Sequence, residues 1–198
     1  MNAPSAIRVL RASDYRRMPW KNGGGETVEI AVFPANAGLD DFAWRISMAS
    51  VASDGPFSSF PGIDRTLSIL QGAGMTLVIG DQAPVTLTRD TPPYPFAADI
   101  PTSAMLVDGD ITDLNVMTRR GHSTHRVTRH VVNGTQTLAT SEKTVTVMLV
   151  QDAVEIVGGK GETHQLHPLD AMMCDPSAAD FTLKTGKPTT VYEIVLTA

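Results

Sequence analysis

Trp44-Arg45-Ile46-Ser47-Met48-Ala49 places Trp44, Ile46 and Met48 at every second position, with Arg45, Ser47 and Ala49 between them. Successive side chains of a β-strand point to opposite faces, so a period of two reads as a strand with an apolar side and a side that carries Arg45 and Ser47. The same signal lies upstream, where Val28, Ile30 and Val32 alternate with Thr27, Glu29 and Ala31, and at the C-terminal end in Tyr192, Ile194 and Leu196. Gly, Pro, Asp and Asn interrupt such segments at short intervals, the pattern of an all-β sandwich or barrel. Short helical turns are expected only around Ser13-Asp14-Tyr15-Arg16-Arg17 and after Pro176.

The stretch Ile69–Gly80 resembles Leu149–Gly158 at an offset of 80 residues, each reading as strand, polar turn, strand. This weak repeat predicts two halves, each a small antiparallel barrel. The divide is placed between Arg119 and Gly134, where Gly, Ser, Thr, His and Arg replace the apolar alternation. The expected domains are residues 1–120, which carry the site, and residues 121–198, a linker followed by a second, degenerate barrel.

A length of 198 residues, 42% of them hydrophobic, suffices for a real core. The net charge of −5 argues against a nucleic-acid partner, which needs a basic face. No apolar run approaches the ~18 residues of a membrane span. The lone Cys174 and the lack of a signal-peptide pattern predict a reduced, cytoplasmic setting. A homodimer is compatible with the chain.

Trp20-Lys21-Asn22-Gly23-Gly24-Gly25 joins two polar side chains to three glycines, whose backbone can approach a ligand closely and form an anion-binding nest. It is neither a GxxxxGK[ST] nor a GxGxxG nucleotide loop. On its own, such a run reads more simply as a tight turn or bulge.

Residues 20–27, together with Phe42-Ala43-Trp44-Arg45-Ile46-Ser47, Gly55–Arg65 and Asp113-Leu114-Asn115-Val116-Met117, resemble the HutD/Ves family. The blocks follow the family's order across about residues 10 to 120. The resemblance implies a bicupin, two fused cupin-like antiparallel β-barrels, with an accessory or regulatory role in bacterial histidine utilisation and no established catalysis. In metal-binding cupins a histidine pair stands between two strands where this chain has Asp64-Arg65, which favours an anion pocket without metal or other cofactor.

The candidate ligand-binding residues are therefore Lys21, Asn22, Gly23, Arg45, Ser47, Arg65 and Asn115. Alternation sets Asp113, Asn115 and Met117 on one strand face, opposite Leu114 and Val116. Each candidate has a plainer structural reading. Arg65 could pair with Asp64, Arg45 could face solvent, Asn115 could satisfy local backbone, and Arg119 and Arg120 read as a solvated edge. His122, His125 and His130, and the pair His164 and His167, sit among Gly, Ser and Pro and read as loop residues rather than metal ligands. The favoured function is a non-catalytic protein that binds a small carboxylate. The alternatives are a metal-free isomerase or hydrolase using Glu26, Glu29, Asp64 or a histidine, and an interaction module with a filled barrel.

Overall fold

The computed structural model describes residues 7–20, 23–176 and 180–197. Its strands begin with β1 (Ile7–Leu10), followed by the 3-10 turn Ala12–Asp14. Next come β2 (Arg16–Pro19), β3 (Gly25–Phe33), β4 (Trp44–Val51), β5 (Gly55–Pro56) and β6 (Ile63–Gln71). After these run β7 (Met75–Ile79), β8 (Val85–Leu87), β9 (Tyr94–Ala97), β10 (Thr102–Leu106) and β11 (Ile111–Arg119). The remainder are β12 (Thr124–Val132), β13 (Thr135–Leu138), β14 (Thr144–Val150), β15 (Val154–Val157), β16 (Thr163–Leu166), β17 (Ala171–Cys174), β18 (Phe181–Lys184) and β19 (Thr189–Thr197). The chain is all-β, and the 3-10 turn falls at the predicted place. Of the turn expected after Pro176, residues 177–179 lie outside the described residues.

The chain divides into two units, one of Arg16–Thr124 and one of Met1–Tyr15 with His125–Ala198. The first fifteen residues join the C-terminal unit, unlike the domain read from the sequence, because β1 pairs antiparallel with β17, Ile7 opposite Cys174. The segment read as a polar linker contains β12, the outer strand of that unit's five-stranded sheet. Its mixed polar sequence, Thr124-His125-Arg126-Val127-Thr128-Arg129-His130, hides a strand whose side chains are mostly half-buried.

Within Arg16–Thr124 a six-stranded sheet, ordered β2-β3-β4-β11-β6-β9, accompanies a four-stranded sheet, β5-β10-β7-β8. One core draws on both: Ala49, Val51, Leu67, Ile69 and Ile111 from the first, and Met75, Leu77, Ile79, Leu87 and Ala104 from the second. Burial of such side chains, each worth about 1.5–3 kcal/mol, holds the two sheets together.

The other unit repeats the pairing scheme eight strands later. The β4-β11-β6-β9 and β5-β10-β7-β8 arrangements recur as β12-β19-β14-β17 and β13-β18-β15-β16. The sequence repeat thus marks equivalent consecutive strands, β6–β7 and β14–β15, each pair passing from one sheet to the other. Its register slips, since core residues Ile69 and Met75 are six positions apart whereas Val150 and Val154 are four apart.

The glycine run closes the β2–β3 hairpin. The Trp20 N–H donates to Gly25 O at 2.9 Å, and the Gly23 N–H donates to Trp20 O at 3.1 Å. Gly23 is left-handed at φ +72° with open space around it, whereas a Cβ on Gly25 would overlap the Ser50 carbonyl oxygen and meet the Trp20 ring at 3.0 Å. Trp20 Nε1 donates to Thr27 Oγ1 at 2.8 Å, locking the ring over the glycine. Gly25→Ala is therefore expected to cost about 2 kcal/mol or more, because rigid backbone must move. Gly23→Ala should cost only about 1 kcal/mol, the left-handed penalty. Urea unfolding of the two variants checks the order.

Candidate functional site

Antiparallel register decides which side chains meet. Met117 on β11 lies opposite Arg45 on β4 and Arg65 on β6, while Asn115 lies opposite Ser47 and Leu67. Asp113 follows on the same face, opposite Ala49 and Ile69. Because Ala49, Leu67 and Ile69 belong to the core, this is the inward face. Five polar side chains thus point into the sheet pair, and Arg45, Ser47, Arg65, Asp113 and Asn115 are all buried. Such burial is rare for charge unless it is paired.

Arg45 has a partner. Its Nε donates to Glu29 Oε2 at 2.7 Å, with the two side chains 5% and 13% exposed. Glu29 lies opposite Ser47, on the strand face that carries Arg45, which places it within reach of the guanidinium. A β-bulge between Glu29 and Ala31 breaks the simple alternation beyond it, because Val32 and not Ala31 lies opposite Arg45. Glu29 is thus a half-buried ion-pair partner and not an ordinary strand residue, and Arg45 does not face solvent.

Arg65 is held differently. Its guanidinium carbon lies 5.2 Å from the centroid of Phe57, 5.3 Å from Phe60 and 5.7 Å from Phe96. Phe96 stands directly across from it on β9, and Phe57 and Phe60 come from the loop after β5. Aromatic faces attract a cation through their quadrupoles, more strongly where water is excluded. The loop is pinned at both ends, with the Phe57 N–H on Thr102 O and the Phe60 N–H on Ala98 O, each at 2.9 Å. The single hydrogen bond of Arg65, from Nη2 to Ser58 O, is 3.5 Å long, and buried Nε has no partner. Desolvation lowers the Arg65 pKa to about 10, while Asp113 raises it and Arg45 lowers it further.

Asp113 is the matching acid. One oxygen accepts from the Asn115 amide, and Oδ2, fully buried, has no partner. Burial pushes its pKa up to about 7, against the opposing pull of Arg65, the Ala49 N–H and Asn115. The face therefore presents an unused donor on a buried cation and an unused acceptor on a buried acid.

The structure brings Arg45, Ser47, Arg65 and Asn115 onto one face. Lys21 and Asn22 lie outside the described residues. Gly23 does not join the cluster: Gly25 pairs with Val51, six residues along β4 from Arg45 and roughly 20 Å away at strand rise. Asp64 does not pair with Arg65. It accepts from Arg120 Nε at 2.7 Å, and Arg120 also forks onto Asp99 at 2.7 and 3.0 Å. Arg119 bonds Phe42 O and Asp40 O at 2.9 and 2.7 Å. These two arginines fasten the ends of β6 and β11, with Arg119 half-buried and Arg120 on the exposed edge that the sequence suggested. The pairing of Glu29 with Arg45 and the aromatic cage went unread because cross-strand neighbours and a loop excursion leave no periodic signal.

His125, His130 and His164 lie on strands rather than in loops. His130 Nε2 meets Glu193 Oε2 at 3.0 Å. A divalent metal does not fit the inward face of the Arg16–Thr124 unit, whose carboxylates Glu29 and Asp113 stand beside guanidiniums. No group of three His, Cys, Asp or Glu among the described residues could hold a metal ion.

Residues 12–192 match the HutD family. An uncharacterised 21.2 kDa protein of the hutC 3′ region of Pseudomonas putida is 36% identical over 85% of this chain and 86% of its own length. Protein Ves of Citrobacter koseri is 43% identical over 54% of this chain and 56% of its own. Among solved structures, HutD from Pseudomonas fluorescens SBW25, in a formate condition, aligns with a TM-score of 0.79 at 35% identity. That alignment covers 96% of this chain and 98% of the other. At 8% identity, an oxalate decarboxylase from Lactobacillus farciminis aligns with a TM-score of 0.70 over 98% of this chain and 87% of its own, a likeness of cupin-like fold alone.

Glu29→Ala should destabilise the protein by about 3 kcal/mol, because it strands a buried guanidinium. The double change Glu29→Leu with Arg45→Met should recover most of that loss, as measured by urea unfolding. The raised Asp113 pKa predicts stability that is fully present below about pH 4 and is lost as pH rises through about 7. Asp99, Asp170 and Glu155 are shifted downward, so their contributions vanish only on acidification below the usual carboxylate range. Between pH 5 and 8 the urea midpoint should therefore fall further in wild type than in Asp113→Asn.

Proposed function

This chain belongs to the HutD family, and from that premise we propose that it binds a small carboxylate without catalysis and serves an accessory or regulatory role in histidine utilisation. It is a cupin-like protein of a family linked to the histidine-utilisation locus. The observation that carries the reading is Arg65, a caged and buried cation whose Nε lacks a partner. A carboxylate there gains charge-assisted hydrogen bonds of roughly 1.5–3 kcal/mol each. Asn115 and Ser47 offer neutral polar groups on the same face. The formate condition of the Pseudomonas fluorescens HutD structure agrees with a small acid as the ligand class.

Histidine breakdown supplies such acids, among them urocanate, formiminoglutamate and formylglutamate. No helix among the described residues is long and apolar enough to cross a membrane. A cytoplasmic place belongs to this reading and suits the buried Cys174, whose thiol burial pushes up to about 12, leaving it inert.

One observation favours an enzyme as the second reading. Asp113, with its pKa near neutrality beside a cation, has the character of a general acid or base. The carboxylates considered from the sequence are less apt, because Glu26 pairs with Arg17, Asp64 with Arg120 and Glu29 with Arg45. Turnover of any candidate acid by the purified protein would replace the binding reading with this one.

The deciding test is a thermal-shift and calorimetric screen of the three acids and formate on wild type and Arg65→Met. Methionine fills the aromatic cage without charge but leaves Asp113 without its cation, so the comparison is made at pH 6, where a protonated Asp113 keeps the variant folded. Affinity for any acid that binds wild type should fall about tenfold to a hundredfold. Unchanged affinity in a folded Arg65→Met would reject Arg65 as the anion site.

A further inference from the structure

Building on the carboxylate reading, we infer that ligand binding at Arg65 is coupled to uptake of one proton, which lodges on Asp113 Oδ2 and is donated in a hydrogen bond to the bound carboxylate. The argument starts from charge. Among the described residues, the buried inward face carries two guanidiniums, Arg45 and Arg65, and two carboxylates, Glu29 and Asp113. Arg45 is used by Glu29, which leaves Asp113 to balance Arg65. An anion bound at Arg65 would leave one uncompensated negative charge in a water-poor interior, which is strongly unfavourable. A proton on Asp113 removes that charge.

Hydrogen-bond geometry requires the same proton. Asp113 accepts from Asn115 with one oxygen, and its other, fully buried oxygen has no partner. As a carboxylate that oxygen only accepts, and it would repel a second carboxylate. Once protonated, it becomes a donor on the same inward face as Arg65, whose buried Nε also lacks a partner. The ligand then receives one N–H and one O–H bond, and both orphaned atoms are satisfied. The step balances: a proton leaves solvent, an O–H bond forms on Asp113, and no other bond changes.

The groups around Asp113 leave it as the site of that proton. Arg65 faces it from β6, Arg45 from β4 and Glu29 from β3, and Tyr94 on β9 shares the face opposite Leu67. Arg16 and Arg119 stand at the rim of the same face, opposite Glu29 and Ile63. The four-stranded sheet contributes Met75, Leu77, Ile79, Leu87 and Ala104 to the core here, with the uncharged, buried Thr102 on the same face of β10 as Ala104. The raised Asp113 pKa puts the exchange within the physiological range.

The test uses formate as probe, which stays ionised from pH 6 to 8.5. Wild type should bind formate about tenfold more weakly for each pH unit above about 7.5, the slope of one linked proton. Calorimetry in phosphate and in Tris at pH 8 should show one proton taken up per formate, falling toward zero at pH 6, a readout that needs no variant. Asp113→Asn, whose amide can donate as the protonated acid does, should bind formate equally at pH 6 and 8.5. Formate binding by wild type with no pH dependence and no proton uptake would overturn the coupling while leaving the carboxylate reading intact. Loss of formate binding at both pH values in a folded Asp113→Asn would also overturn it. Failure of wild type to bind formate at any pH would overturn both.

Discussion

A guanidinium placed inside a pair of β-sheets makes demands that shape much of the surrounding unit. Arg65 cannot reach bulk water, so its charge is met by three aromatic rings and by Asp113. Two of those rings lie on the loop between β5 and β6, which must be held down over the cation. Backbone bonds to Ala98 and Thr102 do this, and the Arg120 fork onto Asp64 and Asp99 fastens the following turn. Arg45, two strands across, would add a second unbalanced charge. Glu29, on the same face of β3, pairs with it. Buried pairs of this kind are weak evidence for stability, since apolar residues of similar volume often serve as well. Their retention in a core position fits a functional constraint.

The two units show what such a constraint leaves behind. Both have the same strand pairing, so the backbone scheme does not require a buried cation. On β6 the inward residues run Arg65, Leu67, Ile69, and on the equivalent β14 they run Thr146, Met148, Val150. Thr146 thus occupies the place of Arg65. The polar pair in that unit, His130 with Glu193, is satisfied within itself. One topology therefore carries two buried guanidiniums on the inward face of one unit and Thr146, Met148 and Val150 along the equivalent strand of the other. The site is a property of side chains grafted on the fold.

Among the described residues Asp113 is the one buried acid with an unsatisfied side-chain oxygen, and it links stability to pH. A carboxyl kept partly protonated near neutral pH costs the folded state stability when it ionises.

Fold class was legible from the chain itself. Period-two alternation in Trp44–Ala49 marks β4, the matching strand–turn–strand stretches at Ile69–Gly80 and Leu149–Gly158 mark the duplication, and both depend only on local backbone geometry. Alternation also placed Arg45 and Ser47 together, and Asp113 with Asn115, because a strand fixes the facing of its own residues. It could not say which face was buried, nor which strands lay side by side. The Arg45–Glu29 pair rests on the register of β3 against β4, the cage around Arg65 on a loop excursion, and the move of β1 into the second unit on pairing with a strand more than 150 residues away. The same blindness grouped Gly23 with Arg65, although register sends them to opposite ends of the sheet. Local periodicity reports the direction of each side chain. Only long-range register determines its neighbours, and the chemistry of this site consists of neighbours.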